Sequence, residues 1–117
     1  MRRLLAILLF YSLVSCHGRT SSHVPSDIIA PDSMVLILTD VHLLQASIQL
    51  GYYQNDTITT VQKAFQNLWK KHHISEDDYN KSIKYYSYHP ALLDPVYEKV
   101  MNNLNEQKVE LLGKKHT

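Results

Sequence analysis

The chain of 117 residues has one cysteine, Cys16, so no disulfide can form within it. Three glycines and four prolines are too few for the closely spaced turns of an all-β protein. A dominant charge is missing too. Twelve Lys and Arg stand against eleven Asp and Glu, a formal net charge of +1, which gives no basic field to gather nucleic acid. Nor does any apolar run reach the roughly 20 residues that a helix needs to cross about 30 Å of hydrocarbon. The longest run, Leu4 to Val14, stops at about eleven residues.

That run lies behind Met1-Arg2-Arg3 and closes in Leu13-Val14-Ser15-Cys16. A positive n-region, a short apolar h-region and small closing residues form the pattern of an export signal. The last four residues resemble the bacterial lipobox, in which the cysteine is joined to diacylglycerol and becomes the mature N-terminus. A thiol supplies the nucleophile that takes the lipid, and Ser15 leaves room for the peptidase. The other reading is an ordinary secretory signal with an incidental cysteine. Cleavage before Cys16 removes 15 of the 117 residues and leaves 102, one small domain. It also removes Arg2 and Arg3, so ten basic residues face eleven acidic ones and the formal charge becomes −1. Each buried lipid methylene contributes about 0.8 kcal/mol, and two or more chains hold stably, so an acylated Cys16 is a lasting tether.

The expected organisation is a lipoprotein signal peptide at 1–15, a lipidated flexible tether at 16–26, a helical domain at 27–113 and a tail at 114–117. The fold expected is all-α, a small bundle of three main helices plus a shorter or kinked fourth helix at the C-terminus. The first helix is predicted to start at a cap on Asp32 or Ser33 and to end near Leu50, before Gly51. Met34, Ile37, Leu38, Val41, Leu44 and Ile48 fall in one arc of about 120°, the expected core face. Val35, Leu36, Leu43 and Leu50 fall outside that arc. Either another segment of the chain covers them, or Leu36, Leu43 and Leu50 form an exposed patch for a partner.

The second helix is predicted from Ile58 to His72 or His73, with Ile58, Val61, Phe65, Leu68 and Trp69 at helical spacing. Lys63, Lys70 and Lys71 should form its solvated face. Ser75-Glu76-Asp77-Asp78 is a capping box that opens the third helix, which Pro90 limits to His89. For the fourth, Asp94-Pro95 reads as a cap followed by proline at the first helical position. The alternative starts it at Pro90 and kinks it at Pro95.

Several side-chain groups invite chemistry and fail on geometry. Asp40 and His42 lie two apart, about 200° around a helix, and cannot converge. His72 and His73 diverge by about 100° and have no third ligand on the same helix face, so no metal site is expected. Gln45 sits at the edge of the apolar arc and needs a hydrogen-bond partner if buried. Ser82 and His89 lack the strand-turn-helix elbow, the oxyanion loop and the orienting acid of a hydrolase.

Residues across the domain resemble a family of Bacteroidota lipoproteins that carry the domain of unknown function 4296. The resemblance rests on Met34-Val35-Leu36-Ile37-Leu38-Thr39-Asp40-Val41-His42, on Gln45-Ala46, Ile74-Ser75 and Asp78-Tyr79, and on Tyr97, Val100 and Leu104. Its most specific part is the run of Ser82, Tyr85-Tyr86 and His89-Pro90. It implies a small helical lipoprotein with no established activity, and an acid where this chain has Gln45. In that phylum, surface display usually goes with acidic residues directly after the lipidated cysteine. His17 to Ser22 contain none, which implies a periplasm-facing outer-membrane lipoprotein. Asp56-Thr57-Ile58 and Asp32-Ser33-Met34 match the short pattern for O-glycosylation of exported Bacteroidota proteins at Thr57 and Ser33, and ordinary helix capping explains both places more simply.

The expectation is therefore a lipid-anchored envelope protein that is not an enzyme, needs no cofactor and no metal, and holds or assists another envelope protein. The alternative is a periplasmic binder of a peptide or small ligand. Its recognition surface would be Ser82, Tyr85, Tyr86, Tyr88 and His89, since tyrosine offers a flat apolar body with a hydroxyl handle. In a structural role the same rings would pack on the first and last helices, and their hydroxyls would fix the turn at His89-Pro90.

Overall fold

The computed structural model describes residues 23–53 and 58–114. Among these there are four helices and no strand: α1 Pro31–Gln49, α2 Ile58–Lys71, α3 Glu76–Ser87 and α4 Pro90–Lys114. The domain is thus all-α. Cys16, Thr57, the signal-peptide residues and most of the expected tether lie outside the described residues. Val24, placed in the tether by the sequence, packs against the core.

α1 begins before Asp32 and Ser33, the expected caps. Ala30, extended at φ −60 and ψ 149, is the N-cap without any side-chain bond, and Pro31 takes the first turn. Proline is favoured there because its missing N–H has no helical partner to lose. Asp32 instead reaches across to Lys99 at 3.1 Å. The expected core residues Met34, Ile37, Leu38 and Val41 are buried, but so are Val35 and Thr39. For Val35 the first of the two alternatives holds, since other segments of the chain cover it. A helix apolar on more than one face is covered on more than one face, and α1 lies between two cores. In one, Met34, Val35 and Leu38 meet Ile28, Tyr86, Val96 and Val100. In the other, Ile37 and Val41 meet Leu68 and Trp69.

Both α1 and α2 end with a residue in the left-handed region. At α1 it is Gly51 (φ 83), with bonds from Gly51 N–H to the Ile48 carbonyl and from Tyr52 N–H to the Ser47 carbonyl, each 3.1 Å. At α2 the same bonds run from His73 to Lys70 and from Ile74 to Trp69, again at 3.1 Å, while Ile74 packs on the second core. This is a complete Schellman ending with histidine (φ 54) where glycine is usual.

α3 has the expected capping box. Ser75 Oγ accepts the Asp78 N–H at 3.1 Å, and the Asp78 carboxylate accepts the Ser75 N–H at 2.9 Å. That backbone bond, together with the Ser75 hydroxyl, holds the Asp78 carboxyl below its usual range. The helix stops at Ser87, with Tyr88 as its C-cap, earlier than the expected His89.

α4 is the longest helix, 25 residues, and runs from Pro90 through Pro95. The preferred start at Asp94-Pro95 and the short fourth element are both corrected. The reason is packing: Leu92 and Leu93 join Val96 on the first core. They can do so because the His89 carbonyl takes their N–H groups, at 2.9 and 3.1 Å, and opens the helix there.

His73→Gly is expected to stabilise the fold by about 0.5–1 kcal/mol, because glycine adopts φ 54 without the steric penalty of a Cβ. Thermal or urea unfolding measures it. A loss of stability would mean that the His73 side chain contributes more than its backbone strain removes.

Candidate functional site

The specific run on α3 divides into an inside and an outside. Ser82 and Tyr86 are fully buried. One helical turn apart, they close on a single residue: Ser82 Oγ accepts the Ile29 N–H at 2.9 Å, and the Tyr86 hydroxyl donates to the Ile29 carbonyl at 2.8 Å. Both backbone groups of a residue outside any helix are thus satisfied by side chains. Burial, with a smaller contribution from Tyr85, raises the Tyr86 phenol to about 12, so it remains a donor at neutral pH. Next to it, Lys81 pairs with Asp27, and the bond from Lys81 holds the Asp27 carboxyl below its usual range.

Of the five residues expected to form a recognition surface, only Tyr85, Tyr88 and His89 reach solvent. Tyr88 is 74% exposed. Tyr85 is half-buried, stands edge-on to Tyr86 at 5.9 Å and stacks on His89 with centroids 4.1 Å apart. His89 Nδ1 lies 2.7 Å from the Tyr85 carbonyl, a bond in which the ring nitrogen must donate. The hydroxyl expected to fix the His89-Pro90 turn therefore fixes Ile29 instead, and the turn is held by the imidazole.

On α1, Leu36 and Leu50 are 58% and 75% exposed, while Leu43 is half-buried. The spacing of seven places the three in one row along the helix. Ser33 is exposed in the first turn of α1.

Asp40 does not meet His42, which contacts the Tyr97 ring at 6.1 Å. It meets α2 instead: its Oδ2 lies 2.7 Å from both Lys71 Nζ and His72 Nε2. Lys71, assigned to the solvated face, thus reaches back to α1, and His72 has a partner. No spacing rule could have shown a contact 32 residues apart in sequence. Partial burial pushes the Asp40 pKa up, but the bonds and charges of Lys71 and His72 together outweigh it and leave the pKa below 3.8. Among the described residues there is no cluster of three or more potential metal ligands.

A further group of polar side chains lies elsewhere. A groove of about 470 Å³ opens between α1, α2 and the start of α3. Phe65, Trp69 and Tyr79 line it together with Gln45, Gln62, Gln66 and Asn80. Trp69 packs between the other two rings, 6.0 Å from Phe65 and 4.8 Å from Tyr79. Burial raises the Tyr79 pKa, with a smaller contribution from Tyr97. The sequence marked only Gln45 among the four amides. The signal for the others was the i, i+4 pairing of Gln62 with Gln66 beside Phe65 and Trp69.

These elements define a small helical domain pinned by a buried serine and tyrosine. The family model described as Domain of unknown function (DUF4296) matches residues 25–110. The chain belongs to that family. No curated protein and no solved structure matches it.

Tyr86→Phe keeps the ring but leaves the Ile29 carbonyl without its donor, and is expected to lose about 1–3 kcal/mol of stability. Ser82→Ala should lose a similar amount, and the double variant less than the two losses together, because both bonds hold one residue. Urea midpoints of the three variants measure this, and fully additive losses would argue against a shared clamp. Asp40 contributes stability of the depressed-carboxylate kind, present above its unfolded pKa near 3.8 and lost as pH falls through its lower folded value. Asp40→Asn is therefore expected to shrink the acid limb of the stability curve, and an unchanged limb would rule that linkage out.

Proposed function

We propose that this chain is a lipoprotein of the bacterial envelope, of the Bacteroidota type, acylated at Cys16 and facing the periplasm from the outer membrane. Its action is to hold another envelope protein without catalysis. The anchor follows from the position of the only thiol behind a short apolar run. The core begins at Val24, so only His17 to His23 separate it from the lipid. Fully extended, that length spans at most about 25 Å, which keeps the domain close to the bilayer.

The observation that carries the partner reading is the row of Leu36, Leu43 and Leu50, with both end members largely exposed. An aligned apolar row whose ends the described residues leave exposed is suited to a partner helix. The tyrosine-face alternative has less behind it, because Ser82 and Tyr86 are buried and bonded to Ile29.

Two measurements test the reading. Cells fed a fatty-acid analogue should label the chain, and Cys16→Ser should lose both the label and the membrane fraction. An unlabelled, freely soluble native chain would remove the anchor. For the partner, a photocrosslinker at Leu36 or Leu50 should trap one discrete neighbour that a crosslinker at Lys84 does not. Glutamate at either position should abolish the crosslink with stability changed by less than about 0.5 kcal/mol. Identical products from all three positions would count against a leucine interface.

A further inference from the structure

We propose that the groove between α1, α2 and α3 binds an uncharged carbohydrate, a short oligosaccharide lying along Phe65 and Tyr79 with its hydroxyls on the surrounding amides. This is independent of the lipid anchor and of the leucine row. Among the described residues, none of the side-chain amides of Gln45, Gln62, Gln66 and Asn80 makes a hydrogen bond within the protein. Each amide offers two donors and an acceptor. A sugar hydroxyl both donates and accepts, so a ring bearing several of them suits four such groups set around one groove by three helices.

Half-buried Phe65 and Tyr79 supply flat apolar faces for the C–H side of a sugar ring, and buried Trp69 fixes both. The volume, about 470 Å³, falls in the range of small-ligand sites. Other ligand classes fit less well. Among the described residues Glu76 is the only charged one in the lining, which disfavours phosphates and acidic sugars. A lipid chain would strip water from four amides without replacing their bonds. A peptide added by strand pairing needs an open sheet edge, and here the walls are helices.

Trp69 is the only tryptophan in the chain and lines the groove, so its emission responds to binding there. The full-length chain, titrated separately with maltotriose, cellotriose, mannotriose and chitotriose, should show a saturable change with at least one of them. Gln62→Ala and Gln66→Ala should each weaken that binding by about five- to tenfold, while Lys108→Ala leaves it unchanged. Both glutamines are exposed on a helix, where alanine favours the helical state, so the variants keep the fold. Overturning results are no saturable change with any of the four at millimolar concentration, equal or tighter binding of trialanine or a heparin disaccharide, or glutamine variants that bind like the unaltered chain.

Discussion

Two hydrogen bonds to Ile29 set the geometry of the whole domain. Residues 28–30 are neither helix nor strand, yet they lead the chain into α1 from beneath α3. A segment like this, brought against a core, must satisfy its backbone groups away from water or lose roughly 1–3 kcal/mol for each. Ser82 and Tyr86 do so from adjacent turns of one helix. With Ile29 fixed, Ile28 enters the core and Pro31 can start α1 two residues later, which turns Met34 and Val35 toward α4. The phenol can be fully buried because its hydroxyl has the Ile29 carbonyl as acceptor.

The two cores are held unequally. The first joins α1, α3, α4 and the lead-in segment, and contains Tyr86, Met34 and Val100, all fully buried. The second secures α2 through Leu68 and Trp69 near its C-terminal end. The Asp40 bonds to Lys71 and His72 act at that same end. Ile58, at the other end of α2, is 79% exposed. Local opening is least unfavourable where buried apolar contacts are fewest, so the free half of α2 is the most adjustable wall of the groove, while Trp69 at its fixed end stays in register with Tyr79.

The fold was largely legible in the sequence because local rules decided most of it. The α1 arc, the α2 stripe and the Ser75 box each needed only spacing and cap chemistry. Failures came where tertiary packing chose between locally equal options. Pro90 and Pro95 both suit a first helical turn, and only the common burial of Leu92, Leu93 and Val96 selects the earlier one. The choice between coverage and exposure outside the α1 arc was not legible, and packing covers Val35 while leaving Leu36 and Leu50 open. The meaning of Ser82 and Tyr86 was half legible. Their spacing put them on one face, but nothing in the chain pointed to Ile29, 53 and 57 residues away. Likewise His73 carries no glycine-like signal, and Asp40 none for its partners on α2.

Both open surfaces follow from one imbalance, more apolar surface on α1 and α2 than four helices of this length cover. On α1 the arc facing α3 and α4 and the arc facing Leu68 and Trp69 are closed, and the remaining arc carries Leu36 and Leu50. Nothing in the packing of α1 calls for leucine at either place. A polar residue with good helix propensity would keep the helix and remove exposed apolar surface. Single exposed leucines need no explanation, but leucines repeated every seven residues on one helix present a continuous edge to a neighbour. The groove differs in kind, because its aromatic rings are rimmed by amides that the fold itself does not use. Assigning a protein partner to the leucine row and a hydroxyl-rich ligand to the groove gives each surface the occupant whose chemistry it lacks.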